Sequence, residues 1–312
     1  MDVVVVGNFV FDLIAKPITR LPDPGKLELV AQLEMHSGGC AVNTANALGR
    51  LGARVGVVGK VGQDVFGDFL LAQLQAHQVD IRHVRRTGEA LTSLTWVMVN
   101  PEGERSFFHH IGANQLFCLQ DVDPAAFQGA KIVHVAGELA MPAFDGEPTA
   151  QALKLAKQAG CLTAMDTSYD GLGRWLAALE PCFAYTDLFL PSLEEARQIT
   201  GRQEPAAIAD FLLRYPIQVV CLKLGAQGCY IRTRQEEHWV SAFQVPVLDT
   251  TGAGDSFVGG FLAGMLQGWD LARIGRFANA VGAQSVSAVG ATTGLRGFAQ
   301  TLEFMEQTPV RR

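Results

Sequence analysis

Apolar runs alternate with amphipathic stretches along most of the chain. Val3 to Val6 is an unbroken β-branched run closed by Gly7, the pattern of a strand buried on both faces of a parallel sheet. Ala41 to Leu51 carries Val42, Ala45, Leu48 and Gly49 at helical spacing and predicts a helix. Val55 to Val58 predicts a second buried strand, and Phe66 to His77 an amphipathic helix with Phe69, Leu70 and Leu74 on one side. The same rhythm returns downstream. Strands are predicted at Lys131–Val135, Leu162–Met165, Leu188–Leu190 and Ile217–Lys223. Helices are predicted at Thr149–Ala159, Leu193–Thr200, Asp255–Leu266 and Leu271–Val289. Strands alternating with helices imply βαβ units, hence an α/β core whose mostly parallel central sheet is covered by helices on both faces.

Two segments break the rhythm. Leu27 to Met35 alternates apolar and polar residues. Leu91–Asn100 and Arg105–Ile111 flank the turn signal Pro101-Glu102-Gly103-Glu104. Alternation predicts half-exposed antiparallel strands. A small β-sheet lid is therefore expected, built from about residues 10–36 and 91–112, on a single α/β domain spanning residues 1–312.

Length and charge narrow the classes. The chain has 312 residues, enough for one large core, and a formal net charge of -6. That mild acidity argues against coating nucleic acid, which needs a basic surface. No apolar run approaches the ~20 residues needed to span a bilayer, and Met1-Asp2-Val3 lacks a basic signal-peptide start. Neither nucleic acid nor membrane is expected as a partner, and a cytoplasmic location is. The six cysteines form no CxxC pair and read as reduced core thiols. The tail from Thr308 is expected to fray.

Two segments carry chemistry. In Leu248-Asp249-Thr250-Thr251-Gly252-Ala253-Gly254-Asp255-Ser256, a glycine-rich turn runs straight into a helix. Free amides at a helix start form an anion site. A carboxylate there can accept the proton of an attacking hydroxyl. Taken alone, Asp255 reads equally well as an acid complementing the helix dipole. In Ser37-Gly38-Gly39-Cys40-Ala41-Val42-Asn43, two glycines join the alternating strand to a helix, and Asn43 can hydrogen-bond vicinal hydroxyls. A plain strand-to-helix turn is the competing reading.

Together the segments resemble the two signature regions of the ribokinase-like (PfkB-type) carbohydrate kinase family. Gly38, Gly39 and Asn43 match its Gly-Gly-x-x-x-Asn pattern, and Asp249 to Asp255 match its Asp-Thr-x-Gly-Ala-Gly-Asp pattern. The resemblance runs from the first strand to the region of Gly290. It implies a three-layer ribokinase-like core with a lid, and ATP-dependent phosphoryl transfer to a small sugar with Mg2+. Asp255 takes the place of the base, and Gly252, Ala253 and Gly254 that of the anion hole. Asp12, Gly38, Gly39 and Asn43 match sugar-binding positions. Lys223, Gly225 and Gly228 match the loop under the nucleotide, Asn279 a position near adenine, and Glu195 an acid that organises magnesium. Asp249, Thr251, Ser285, Ala288 and Gly290 match a monovalent-cation site, where K+ would strengthen the anion hole.

Two stretches depart from the family. Ser192 stands where Asn is usual, and Ser168 and Asp170 replace the Asn and Arg of Asp-x-Asn-x-Arg. Elsewhere, alternation sends His109 and His110 to opposite faces, so a metal site there is not expected. Arg105 reads first as a solvated strand charge and second as a lid group reaching substrate. Phe107 and Phe108 divide between core packing and stacking on substrate. A dinucleotide fingerprint is missing after the first strand, and Gly59-Lys60-Val61 fails as a P-loop. A nucleoside kinase of the same fold is the alternative, and would need an aromatic shelf drawn from Phe9, Phe11, Trp96 or Phe108. A non-catalytic sensor would have no use for Asp255. Exposed lid edges could pair with a second copy, giving a homodimer.

Overall fold

In the computed structural model, which describes residues 1–311, Val3 and Val5 enter one apolar core and Val4 and Val6 another. A strand with period-2 geometry and apolar residues on both sides must lie between two helical layers. That strand is β1 (Val3–Gly7); β2 (Val10–Lys16) and β3 (Gln32–Gly38) follow, leading into α1 (Cys40–Arg50). Next come β4 (Val55–Gly62), α2 (Val65–Ala76), β5 (Asp80–Thr87), β6 (Leu94–Val99) and β7 (Arg105–His110). The middle of the chain holds β8 (Ile132–Glu138), α3 (Glu147–Gln158), β9 (Leu162–Thr167) and α4 (Trp175–Phe183). β10 (Leu188–Phe189), α5 (Leu193–Thr200), α6 (Pro205–Leu212), β11 (Val219–Lys223), β12 (Cys229–Arg232) and β13 (Glu237–Val240) come next. The chain finishes with α7 (Ala253–Leu266), α8 (Leu271–Ser285) and α9 (Phe298–Gln307).

The large sheet runs β13-β12-β11-β10-β9-β8-β1-β4-β5. It is parallel from β11 to β5 and antiparallel only where β12 and β13 close one edge. Residues of α1, α2, α7, α8 and α9 fill the core on one face, and residues of α3 to α6 fill it on the other. Each fully buried Val or Leu in these layers contributes about 1.5–3 kcal/mol. The three-layer expectation holds. Ligands of such sheets bind beyond the carboxyl ends of the strands, where Thr167 and Lys223, at the ends of β9 and β11, line one cleft.

The lid is a second sheet of order β3-β2-β6-β7. β2 and β6 are parallel, not antiparallel as the alternation suggested. The alternating strand also begins later than expected. Its partner β2 pairs from Val10 with Gly38 to Lys16 with Gln32. Pro17 then follows, with no N–H to extend the ladder, so Leu27 and Leu29 lie exposed in a loop. The helix predicted to Val289 stops at Ser285, before Gly290 at φ 95°. Within the described residues the tail from Thr308 to Arg311 is not frayed, and Arg312 lies outside them. Gln244 N–H donates to Pro309 O (2.8 Å) and Arg311 N–H to Ala242 O (2.7 Å). Among the described residues, no helix is long and apolar enough to cross a membrane.

Candidate active site

The two motif segments meet because two helices touch through small residues. A Cβ on Gly259 of α7 would lie 2.7 Å from the Ala47 methyl of α1. One helical turn earlier on each helix stand Asp255 and Asn43. Asn43 Nδ2 therefore donates to Asp255 Oδ2 at 2.8 Å, and the Thr44 hydroxyl donates to Asp255 O at 3.3 Å. Asn43 Oδ1 is buried without a partner, an acceptor left for a ligand hydroxyl. Burial, then the nearby Asp166, raise the Asp255 carboxyl, while Asn43 and Lys223 pull it down. A raised carboxyl is a stronger base when ionised.

The turn before α7 leaves backbone donors unpaired at a helix start. Gly252 caps the helix at φ 67°, a left-handed conformation that suits glycine. Among the described residues, the N–H groups of Gly252, Gly254 and Asp255 have no acceptor in the chain. Ala253 N–H, expected in the hole, instead points at Thr250 O (3.3 Å), closing the turn. The donors left free at the turn are the amides of Gly252, Gly254 and Asp255.

Asp12, Gly38 and Gly39 come together at the base of the lid. The Asp12 carboxylate fills the space above Gly38, where a Cβ would stand 2.1 Å from Asp12 Oδ2. Gly39 sits at φ 89°, and a Cβ there would be 2.6 Å from Asn8 O. Burial raises the Asp12 carboxyl from 3.8 to about 6, against the Thr95 hydroxyl and the His36 and Arg105 charges. Strand pairing sets His36, Asp12, Thr95 and His109 in one row across the lid. His109 Nδ1 lies 3.0 Å from Thr95 Oγ1 in that row, and His110 is on the opposite face. Phe107 shares Asp12's face and is exposed; Phe108 and Trp96 pair on the other. Neither phenylalanine packs in a core. Phe9 and Phe11 do, so all four aromatics proposed as a nucleobase shelf are elsewhere.

A cleft of about 250 Å3 adjoins the anion turn, lined by Lys223, Gly225, Gly228, Phe243, Val245, Asn279 and Ala283 among others. Lys223 Nζ lies 3.4 Å from Asp166 Oδ2. Burial would lower its pKa, but Asp166, Glu195 and Asp255 outweigh burial and raise it, so the ammonium stays charged. Gly228 at φ 101° lets its loop touch β13; a Cβ would lie 2.0 Å from Val240 O. Asn279 Nδ2 donates to Val240 O at 2.9 Å, fixing the same wall. Arg311 also lines this cleft, brought there by the tail's hydrogen bonds, and sequence gave no signal for it.

A second depression shares Lys223, Gly225 and Gly254 with the first and adds Cys40, Ser168, Tyr169, Glu195 and Asp255. Ser192, the departure from Asn, caps α5: Ser192 N–H donates to Glu195 Oε2 (2.9 Å) and Glu195 N–H to Ser192 Oγ (3.3 Å). The Thr167 hydroxyl also donates to Glu195 Oε2 (3.2 Å), so the acid is held at the cleft. Asp170 turns inward, accepting from Trp175 N–H at 3.0 Å and pairing with Arg174 at 3.2 Å. Tyr169 takes the cleft-lining position instead. Cys40 lines the cleft, but burial and the nearby acids push its thiol well up, so it is a packing group and not a nucleophile.

The residues matched to a monovalent cation do not fit one. Asp249 is the charged member of the set, and its Oδ1 already lies 2.5 Å from Arg105 Nη2. Its oxygens also accept Thr251 N–H (2.7 Å) and Gly290 N–H (2.9 Å). The Ser285 hydroxyl donates to Ala291 O at 2.8 Å, and the Ser285 carbonyl faces Ala288 N–H at 3.4 Å. Arg105 is thereby neither a solvated strand charge nor free for substrate.

A model of the pfkB family of carbohydrate kinases matches residues 1–296. The chain is 31% identical over 301 residues to a ribokinase of Mus musculus, covering 92% of this chain and 90% of that one. It is 30% identical over 283 residues to a 2-dehydro-3-deoxygluconokinase of Bacillus subtilis, covering 87% of each. A solved fructokinase with bound ATP from Xylella fastidiosa superposes with a TM-score of 0.85 at 27% identity, over 98% of both chains.

Proposed function

The chain belongs to the pfkB family of carbohydrate kinases, phosphotransferases with an alcohol acceptor, and from that premise we propose that it moves the γ-phosphoryl of ATP to a hydroxyl of a small sugar with Asp255 as the base. The observation that carries this reading is the 2.8 Å bond from Asn43 to Asp255 across the cleft, which sets the acceptor motif against the transfer motif.

The acceptor lies under the lid between Asp12, Gly38, Gly39 and Asn43, its hydroxyls meeting Asp12 and the unpaired Asn43 Oδ1. The nucleotide lies over Gly225 and Gly228, its base toward the Asn279 wall. Asp255 takes the hydroxyl proton as the oxygen attacks phosphorus in line. The Gly252 and Gly254 amides and the Lys223 ammonium meet the charge on the transferring group. Mg2+, arriving with ATP, would neutralise phosphate charge, and Glu195 beside Lys223 suits it. Lid closure excludes water from the transfer. The polar row of Asp12, Thr95 and His109 on the lid's inner face favours a sugar over a nucleoside, for which Phe107 is the one aromatic on that face.

The outer face exposes Leu33, Met35, Trp96 and Phe108, which we take as the surface of a homodimer; sedimentation as a monomer rejects it. We place the enzyme in the cytoplasm, where its six free thiols persist. ADP release with Mg-ATP over pentoses, hexoses, ketoses, keto-deoxy acids and nucleosides tests the main reading. A sugar hit supports it, a nucleoside hit supports the alternative, and ATP binding without turnover supports a sensor.

A further inference from the structure

The reaction as described makes no use of Arg105, although this side chain joins three parts of the molecule. It opens β7 of the lid and reaches into the core, where its Nη2 lies 2.5 Å from Asp249 Oδ1 and its Nη1 donates to the Thr251 hydroxyl. The carboxylate it meets is fully buried. Through that one carboxylate the guanidinium is tied to the anion turn by Thr251 N–H and to the 285–291 segment by Gly290 N–H. A second lid residue supports the same junction. The His36 ring rests on Gly290 so closely that a Cβ there would lie 2.7 Å from Nδ1.

Beneath this contact the two core segments are interlocked. The Ser256 and Ser285 hydroxyls both donate to Ala291 O, at 3.3 and 2.8 Å. A Cβ on Gly252 would come within 2.4 Å of the Ala291 methyl. A buried carboxylate at the head of this assembly needs a neutralising partner, because an unpaired buried charge is strongly destabilising. Arginine suits the role: its charge is permanent and its planar fork can serve Asp249 and Thr251 together.

Resting on the kinase reading above, we propose that Arg105 is the resident counter-cation of the anion-hole turn. Its guanidinium occupies the position at Asp249 that a monovalent cation would otherwise fill, so the enzyme turns over without potassium. Because β7 carries the guanidinium, one ion pair holds the lid and the turn in register. Arg105 acts here as a positioning residue, through Asp249 and Thr251.

The test compares wild type, Arg105→Gln and Arg105→Lys in buffers whose monovalent cation is either potassium or tetramethylammonium. Wild type is expected to show the same kcat in both. Arg105→Gln is expected to lose on the order of 10²-fold in kcat in tetramethylammonium, the size of effect that a misplacement of about 1 Å produces. Potassium or guanidinium should restore part of that loss, and Arg105→Lys should retain most of the wild-type rate. A parallel arm follows amide hydrogen exchange of residues 249–256 without substrates. Exchange should be faster in Arg105→Gln, slowed again by potassium, and indifferent to potassium in wild type. Strong potassium activation of wild type overturns the proposal. So does an Arg105→Gln enzyme that only raises the KM for ATP and leaves exchange at 249–256 unchanged, since that result puts Arg105 on the nucleotide. The exchange arm needs no turnover, so a failed kinase reading leaves it decisive on its own.

Discussion

Asp12→Asn separates what this carboxylate does for the acceptor from what it costs the fold. In the free protein the carboxyl is raised from 3.8 to about 6, chiefly by burial under the lid. Its folded form thus holds a proton at pH values where the unfolded chain has lost it. Between pH 3.8 and about 6 the unfolded state binds fewer protons, so stability falls as pH rises through that window. The cost is absent below 3.8 and complete above about 6. At about 1.36 kcal/mol per pH unit across that window, it reaches roughly 3 kcal/mol. Asn keeps the shape and the Thr95 contact without the charge. Asp12→Asn should therefore melt with wild type near pH 4 and above it at pH 7.5, at roughly 2–4 °C per kcal/mol. The assay is a series of thermal melts across that range, with and without the acceptor. Saturating sugar should narrow the gap, because its hydroxyls donate to the ionised Asp12 of wild type. Acceptor turnover should collapse in the same variant. A melting gap that stays constant with pH refutes the argument, because the carboxyl would then not be a buried, unsatisfied charge.

Other substitutions test other links. Asp255→Asn can still accept from Asn43, so it should fold and bind ATP yet lose about 10²–10⁴-fold in kcat; melts and single-turnover rates check both halves. Gly38→Ala drives a methyl to within 2.1 Å of Asp12 Oδ2, and should raise the acceptor KM while the ATP KM stays put. Gly259→Val pushes α1 and α7 apart at the Ala47 contact, and should lower kcat through the Asn43–Asp255 bond even in preparations whose circular dichroism is unchanged. Glu138, buried beside Asp145, is raised to about 8, first by burial and then by that neighbour. Its stability contribution therefore declines as pH rises from 4.5 toward 8. Glu138→Gln should gain more in melting temperature at pH 9 than at pH 6, with turnover unchanged.

Much of this architecture could be read from residues alone, and the reasons are local. Val3 to Val6 is apolar on both faces, which only a central strand tolerates, and the Gly252–Gly254 turn before an apolar helix has few other uses. Edge elements were harder. β5 is half-exposed and reads Asp-Ile-Arg-His-Val-Arg-Arg-Thr, while β12 and β13 are four-residue strands closed by a hairpin; short edge strands carry little periodic signal. The roles of Arg105 and Arg311 depended on long-range partners. Arg105 meets Asp249 across 144 positions of chain, and no window of sequence shows that. The helix contact at Gly259 was the signal that could have been used: a glycine pair inside an apolar helix usually marks a close approach.

The charges around the cleft sort the acids by what they are free to do. Asp249 is buried, which raises its carboxyl, yet the Gly290 and Thr251 N–H groups outweigh burial and hold it below the usual range. Its lone pairs are committed, and it is a structural acid. Asp12 and Asp255 are raised because burial is not repaid by backbone donors. Asp255 lines the cleft, where a hydroxyl can use its acceptor capacity. Glu138 shows that a raised carboxyl is not sufficient, since it too is raised while its oxygens serve Gly146 N–H and the Thr149 hydroxyl away from the cleft. Elevation together with a place on the cleft wall selects Asp255, and does so without reference to any motif. The same criterion leaves Asp166 behind the reaction: it is raised by burial, yet it is covered by Lys223 and Gly137 N–H and serves to keep that lysine charged.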